Sequence, residues 1–164
     1  MGHGDDRGIG RWLRDVVQKS SVYIINNVGF KIMNELLIKR IDPVEKYDIL
    51  TFELLVDGRP LSDHLNDGNA GIPYWMTKDG IPHLPPSDAT SSRYIVTVCD
   101  CGEYGCGNSS CEILRKDNIV EFFHFLGDCG AACENLKFTF LAQNYDAQIE
   151  NMKKEANKAL EAMS

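Results

Sequence analysis

The segment TVCDCGEYGCGNSSCE at residues 97–112 concentrates the side chains of this chain that are best suited to chemistry. It holds Cys99, Cys101, Cys106 and Cys111, which are four of the six cysteines. Thiols this close in sequence can ligate a metal ion, form a disulfide, supply a nucleophile with a resolving partner, or pack as small side chains at a tight turn. These alternatives imply different functions, and the surrounding residues distinguish between some of them.

The spacing of the cysteines gives partial support to a metal site. A CxC pair followed by four residues and another cysteine brings Cys99, Cys101 and Cys106 together, and Cys111 could return as a further ligand. Structural zinc sites, however, usually have two CxxC or HxxxH half-sites, which the chain lacks. Zinc on Cys99, Cys101 and Cys106 is therefore one interpretation, and reduced thiols packed at the turn are favoured over it by a small margin. A disulfide is the least favoured of the three.

Acidic neighbours argue against a catalytic thiol. A reactive cysteine needs a base or a cation beside it, whereas Asp100, Glu103 and Glu112 would raise the pKa of nearby thiols. The four histidines are scattered, and His124, in the run IVEFFHF, is expected to be a half-buried strand residue. The chain also lacks a phosphate loop, GxSxG and HExxH. We therefore expect a protein that is not an enzyme, with zinc as the one cofactor to consider.

The segments around the cysteines predict an antiparallel meander. RYIVTVCDC (93–101) alternates in the manner of a strand, and CEILRKD (111–117) and IVEFFHF (119–125) predict two more. The pair Asp117-Asn118 is the expected turn between the last two. The cysteine cluster then lies at one tip of the meander.

This meander would place the thiols in a defined order. Cys99 and Cys101, two residues apart on a strand, would share one face. Cys101 and Cys106 would face each other across a four-residue loop, with their Cβ atoms roughly 5 Å apart. Three glycines suit a reversal that requires positive φ, and they are Gly102, Gly105 and Gly107.

The rest of the chain predicts a second set of strands and two helices. LLIKRI (36–41) and DILTFELLV (48–56) are β-rich, and the second should be a half-buried strand. Residues 62–92 are rich in Gly, Pro, Asn and Asp and predict a long loop packed on the body. YDAQIENMKKEANKALEAM predicts a C-terminal amphipathic helix, and RWLRDVVQKS predicts a short N-terminal helix. The fold class is α+β, a curled antiparallel sheet (a meander) with these two helices.

The chain length fits a single domain. We expect residues 33–164 of the 164 to form that α+β domain. Residues 1–32 are expected to be an N-terminal extension that the core fold does not need, since the clear strand pattern begins after them.

Two stretches carry a family resemblance. DILTFELLVDGRPLSDHL and RYIVTVCDCGEYGCGNSSCEILRKDNIVEFFHF resemble a group of small, uncharacterised bacterial proteins. That group shares a VDGxxL turn and a CxCGExGCG hairpin, followed by a strand with an acidic residue, an aromatic residue and Phe at its end. The resemblance covers roughly residues 33–150, and Cys111, Cys129 and Cys133 have no counterpart in it. It implies the fold and supplies no established activity.

Charge and hydropathy limit the partners. The net charge of −7 argues against nucleic acid, whose phosphates select basic surfaces, and it is compatible with a basic protein partner. The chain has no apolar run of the ~20 residues that a membrane-spanning helix needs, so we expect no membrane association. Its N-terminus, charged with both signs, does not read as a secretory signal. The cytoplasm is the expected compartment.

These properties predict two alternative functions. The first is an immunity (antitoxin) protein of a contact-dependent or polymorphic toxin system, since such proteins are small, acidic and cytosolic and lack catalytic motifs. Its cognate toxin, a basic protein domain, would bind an acidic surface. The candidate residues are Asp63, Asp67, Asp79, Asp88, Glu103 and Glu112. The second is a small zinc-bearing protein-interaction domain.

Overall fold

The structure is a computed structural model that describes residues 22–26, 29–43, 49–77, 92–103 and 105–164. The predicted N-terminal helix lies outside these residues. In chain order the elements are β1 (Val22–Asn26), β2 (Gly29–Met33), β3 (Leu36–Ile41), β4 (Thr51–Val56), β5 (Arg59–Pro60), α1 (Leu61–Leu65), β6 (Ile72–Pro73), a 3₁₀ helix (Tyr74–Thr77), β7 (Ser92–Val98), β8 (Asn108–Lys116), β9 (Ile119–Gly127), a second 3₁₀ helix (Ala131–Cys133), β10 (Phe138–Leu141) and α2 (Ala142–Met163).

The predicted meander of three strands is confirmed as β7, β8 and β9, and β10 adds a fourth strand beside β9; each strand pairs antiparallel with its neighbour in sequence. The turn between β8 and β9 is at Asp117, whose φ is +53°. Alternate residues face inward and are fully buried, as Ile113 and Phe122 show. This sheet carries the cysteine segment 99–107 between β7 and β8.

The second four-stranded sheet contains β3, β4 and β5, with β6 pairing β4. Its β4–β5 turn uses Asp57 and Gly58, both with positive φ, and Pro60 ends β5 after two residues. The prediction of a half-buried β4 was wrong, because Thr51 and Glu53 are buried along with the apolar face. The strand is paired along both edges, by β3 on one side and by β5 and β6 on the other, and α1 also contacts it.

The C-terminal amphipathic helix is confirmed as α2, which buries Tyr145, Ile149, Met152 and Ala156. It also supplies polar partners to β3. The Asn144 side chain accepts from Leu36 N at 2.9 Å and donates to Leu36 O at 3.0 Å, and Gln148 Oε1 accepts from Ile38 N at 2.9 Å. These amides satisfy backbone groups that β3 would otherwise leave unpaired.

The α+β class is therefore confirmed, with differences in detail. The described strands form three sheets that are not closed, with β1 and β2 as a separate pair, where one curled sheet was expected. A short helix, α1, and β6 lie in the segment expected to be loop, because Leu61 and Leu65 are both buried one helical turn apart. The expected domain boundary after residue 32 falls inside β2, whose last residue, Met33, is buried. None of the described helices combines the length and apolar composition that a bilayer crossing requires.

Candidate metal centre

The thiol loop, residues 99–107, joins β7 to β8 and consists of two successive turns; Tyr104 within it lies outside the described residues. Gly102 N donates to Cys99 O at 2.8 Å in the first turn, and Cys106 N donates to Glu103 O at 3.0 Å in the second. Cys99 N donates to Gly107 O at 2.8 Å and closes the loop above the last strand pair.

This loop is longer than the four residues expected, because β7 ends at Val98 and not at Cys101. Cys99 and Cys101 therefore do not share a strand face, and Cys101 and Cys106 are not a cross-strand pair. Gly102 suits the first turn, because its φ of +81° is strained for a residue with a side chain. A Cβ there would also lie 2.2 Å from Cδ1 of Ile49, so the Ile49 side chain would have to move. Of the three glycines expected to need positive φ, only Gly102 has it.

The turns nonetheless bring three thiols together. The sulfurs of Cys99, Cys101 and Cys106 all lie within 4.8 Å of one another, and this cluster could hold a metal ion. Cys101 and Cys106 are exposed and Cys99 is half-buried, so the cysteines of the loop are not packed in the interior. Cys111, considered as a further ligand, is wholly buried on the inner side of β8 and lies outside the cluster.

Backbone N–H groups and neighbouring thiols shift the pKa values of Cys99 and Cys101 in opposite directions. The N–H of Glu103 donates to the Cys101 sulfur and, with Cys99 and Cys106, lowers the pKa of Cys101. For Cys99 the N–H of Cys101 favours the thiolate, but the thiols of Cys101 and Cys106, burial and Asp100 outweigh it and raise the pKa of Cys99 to about 12. Asp100 raises the pKa of Cys101 as expected, but the hydrogen bonds from Glu103 N–H, Cys99 and Cys106 outweigh it.

The three sulfurs approach the spacing that one ion requires. Three thiolates at about 2.3 Å from a tetrahedral ion lie roughly 3.8 Å apart, and the three sulfurs of the loop all lie within 4.8 Å of one another. Among the described residues, no fourth His, Cys, Asp or Glu joins the group. Asp100 comes nearest in sequence, and its Oδ1 accepts from Cys99 Sγ at 3.5 Å.

The Asp67 carboxylate holds the base of the thiol loop. Its Oδ2 accepts from Thr97 Oγ1 at 2.6 Å and from Ser109 Oγ at 2.8 Å, one on each strand below the loop. Its Oδ1 accepts from Asn69 N at 2.9 Å. Ser109 Oγ accepts in turn from Cys129 N at 3.2 Å. The carboxylate thus connects three segments of the chain at the point where the loop begins.

The acidic residues predicted to bind a toxin lie in different surroundings. Asp63 is exposed on α1 and Glu103 is exposed in the thiol loop, whereas the Asp67 oxygens are occupied within the protein. Glu112 lies in the middle of β8, away from the loop. Asp79 and Asp88 are outside the described residues. The role of all six in binding stays a prediction.

An open groove of about 580 Å³ adjoins the thiol loop, which contributes Asp100 to its lining. Asp63 and Arg59 also line it. The structure therefore brings one predicted acidic residue, Asp63, to the same groove as the cysteine segment. The sequence contains no periodicity that would have predicted this juxtaposition.

His124 is a polar group whose position the sequence analysis missed. It was expected to be half-buried, yet its side chain is 62% exposed and its Nδ1 contacts Glu112 Oε2. The cause is a bulge in β9, where His124 has φ +50° and Arg93 Nη1 donates to its carbonyl at 2.9 Å. The residue types in IVEFFHF do not show this, because only the strand pairing reveals that the inward-facing Phe122 and Phe125 are three residues apart.

The chain matches no family model, no curated protein and no solved structure. The resemblance to the bacterial group with the CxCGExGCG hairpin therefore stays a hypothesis.

Exposure and pKa predict the order in which the cysteines react. With metal removed, native protein treated with iodoacetamide should be alkylated first at Cys101, because it is exposed and has the lowered pKa. Cys111, Cys129 and Cys133 are buried and should react only on unfolding. Peptide mass spectrometry at successive times measures the order in which the cysteines are alkylated. Equal rates at all six positions would contradict the described packing.

Proposed function

We propose that the protein binds one zinc ion through Cys99, Cys101 and Cys106 and that the loaded thiol loop binds another protein. The observation that carries this proposal is the convergence of three sulfurs within 4.8 Å at the surface. Thiolates are the ligands that zinc prefers, and a closely spaced sulfur set is typical of its sites. The proposal places the protein in the cytosol, where thiols stay reduced.

The position of the ligands supports a role in recognition over a role in folding. All three cysteines belong to one short loop, so an ion there ties no distant elements together. An unfolded chain keeps the same cysteines close in sequence and retains part of its zinc affinity, which reduces the effect of zinc on the free energy of unfolding. Since the ion would lie at the surface, its main consequence is the shape and charge that it gives the loop.

Zinc binding is testable by titration with a chromophoric chelator and by metal analysis. We expect one zinc per chain, and Cys101→Ser should lower the affinity on the order of a hundredfold because a ligand is lost. Cys133→Ser is the matched control, since its thiol lies outside the cluster and a hydroxyl can keep the donation to Leu65 O, which is 3.2 Å away.

The pH dependence of zinc binding has a definite sign. Zinc must displace the proton that Cys99, with its pKa of about 12, keeps at neutral pH, so acidification should weaken binding. Circular dichroism should change little when zinc is chelated. Zinc-free protein in the absence of chelator, or affinity independent of Cys101, would contradict the proposal.

A second candidate function is an immunity protein that neutralises a basic toxin domain. It is favoured by the acidic side chains near the groove and the thiol loop, namely Asp63, Asp100 and Glu103, because complementary charge accelerates association. In this case the loop and the groove would form the toxin-binding surface, and zinc would order the loop.

The immunity function requires a partner, which can be sought by pull-down of the product of a neighbouring gene. The rate of association with that partner then tests the role of the acidic side chains. Asp63→Asn combined with Glu103→Gln should slow association about tenfold at low salt, and added salt should reduce the difference. Glu150→Gln combined with Glu161→Gln removes the same charge from exposed positions of α2 and should have little effect. Association that is independent of salt would contradict this mechanism.

A further inference from the structure

We infer that the metal ion on the thiol loop has an open fourth coordination position, and that this position binds the neutral imidazole nitrogen of a histidine presented by a partner. This inference rests on the proposed zinc site and specifies how that site recognises its partner. It begins with the ligand count. Zinc takes four ligands in protein sites, and the described residues contribute three thiolates.

The surroundings leave room for a ligand from outside the protein. Cys101 and Cys106 are exposed, so the sulfur cluster opens to solvent. The groove lined by Asp63 and Asp100 adjoins the same loop, because Asp100 lies between Cys99 and Cys101 in the sequence. A chain segment that enters this groove could therefore bring a side chain to the ion. Zinc sites with three protein ligands and one exchangeable position bind exogenous ligands in this way.

Charge determines which ligand is favoured. A zinc ion with three thiolates carries a net charge of −1, and Asp100 and Glu103 add negative charge nearby. A fourth thiolate or a carboxylate would make the net charge of the zinc centre −2. Repulsion between this charge and the nearby acids would cost Coulomb energy. Imidazole is a good zinc ligand and is neutral when it coordinates. In the exchange, the imidazole nitrogen donates its lone pair to the metal and a water molecule leaves, with no oxidation or reduction.

Side chains of the chain itself could compete for the position. Asp100 is the described candidate, but its oxygens do not lie within 4.8 Å of all three sulfurs. His64 and His124 are occupied elsewhere, with Val56 O and Glu112 respectively. His3 and His83 lie outside the described residues. Variants at Asp100 and at these two histidines therefore belong in the test.

The experiment uses the full chain loaded with Co²⁺, whose visible spectrum reports the ligand set. Charge-transfer bands from sulfur to cobalt should appear first and establish the three-thiolate site. Titration with imidazole should then shift the d–d bands in a saturable way, and acetate or 2-mercaptoethanol at equal concentration should produce a smaller shift. A basic peptide with one histidine should reproduce the imidazole shift, and the same peptide with alanine in its place should not. Shift by free imidazole but not by the peptide would overturn the assignment to a partner.

The outcomes separate the two proposals. If no charge-transfer band from sulfur to cobalt appears, the metal site is contradicted and so is this inference. Normal charge transfer without a response to imidazole would overturn the inference alone. If Asp100→Asn, or His3→Ala combined with His83→Ala, restores a response that the native chain lacks, the chain itself fills the position and the partner ligand is excluded. A stronger response to 2-mercaptoethanol than to imidazole would contradict the charge argument.

Discussion

The carboxylate of Asp67 is the constraint on which the thiol loop depends. Thr97 and Ser109 are directly opposite each other on β7 and β8, and both donate a hydroxyl to the same carboxylate oxygen. Hydrogen bonds to a charged acceptor are stronger than neutral ones, and those near the interior are stronger still. The carboxylate therefore ties β7 to β8 one residue pair below the last pair, Val98 and Asn108, where the thiol loop begins.

Beyond the ends of β7 and β8, the turns of the backbone determine where the sulfurs lie. Gly102 passes against Ile49 with positive φ, and two turns follow each other between the closing residues Cys99 and Gly107. Each turn places cysteine at or next to its end, and the backbone N–H groups of Cys101 and Glu103 point at sulfur. The hydrogen bond from Glu103 N–H favours thiolate at Cys101, and it forms within the same two turns that bring the three sulfurs together.

Much of the fold could be predicted from local patterns. LLIKRI coincides with β3, and the turn at Asp117 and the helix α2 follow from alternation, turn residues and apolar spacing of three and four. The thiol loop was only partly predictable. The spacing of its cysteines indicated that they meet, but the local pattern did not show that β7 ends at Val98 or that Gly102 lies against Ile49, which is distant in sequence.

The acidic residues show more clearly that local patterns do not predict contacts between distant segments. Asp63 and Asp67 both lie in a polar, turn-rich segment, and the sequence treats them alike. In the structure one is exposed and the other accepts three hydrogen bonds, because only Asp67 lies beneath the two hydroxyls. His124 faces outward for a related reason, since a bulge changes which residues of β9 face the core. Such roles depend on how the strands pair and cannot be predicted from any one segment.

The comparison of Asp67→Ala with Asp63→Ala tests most directly whether the fold prepares the thiol loop for metal. Zinc affinity is measured by chelator competition on variants that circular dichroism shows to be folded. Asp67→Ala should weaken zinc binding about tenfold or more, in the range found for residues that orient metal ligands. Asp63→Ala should leave it within about twofold, since its carboxylate does not hold the loop. Equal affinities in the two folded variants would contradict the account.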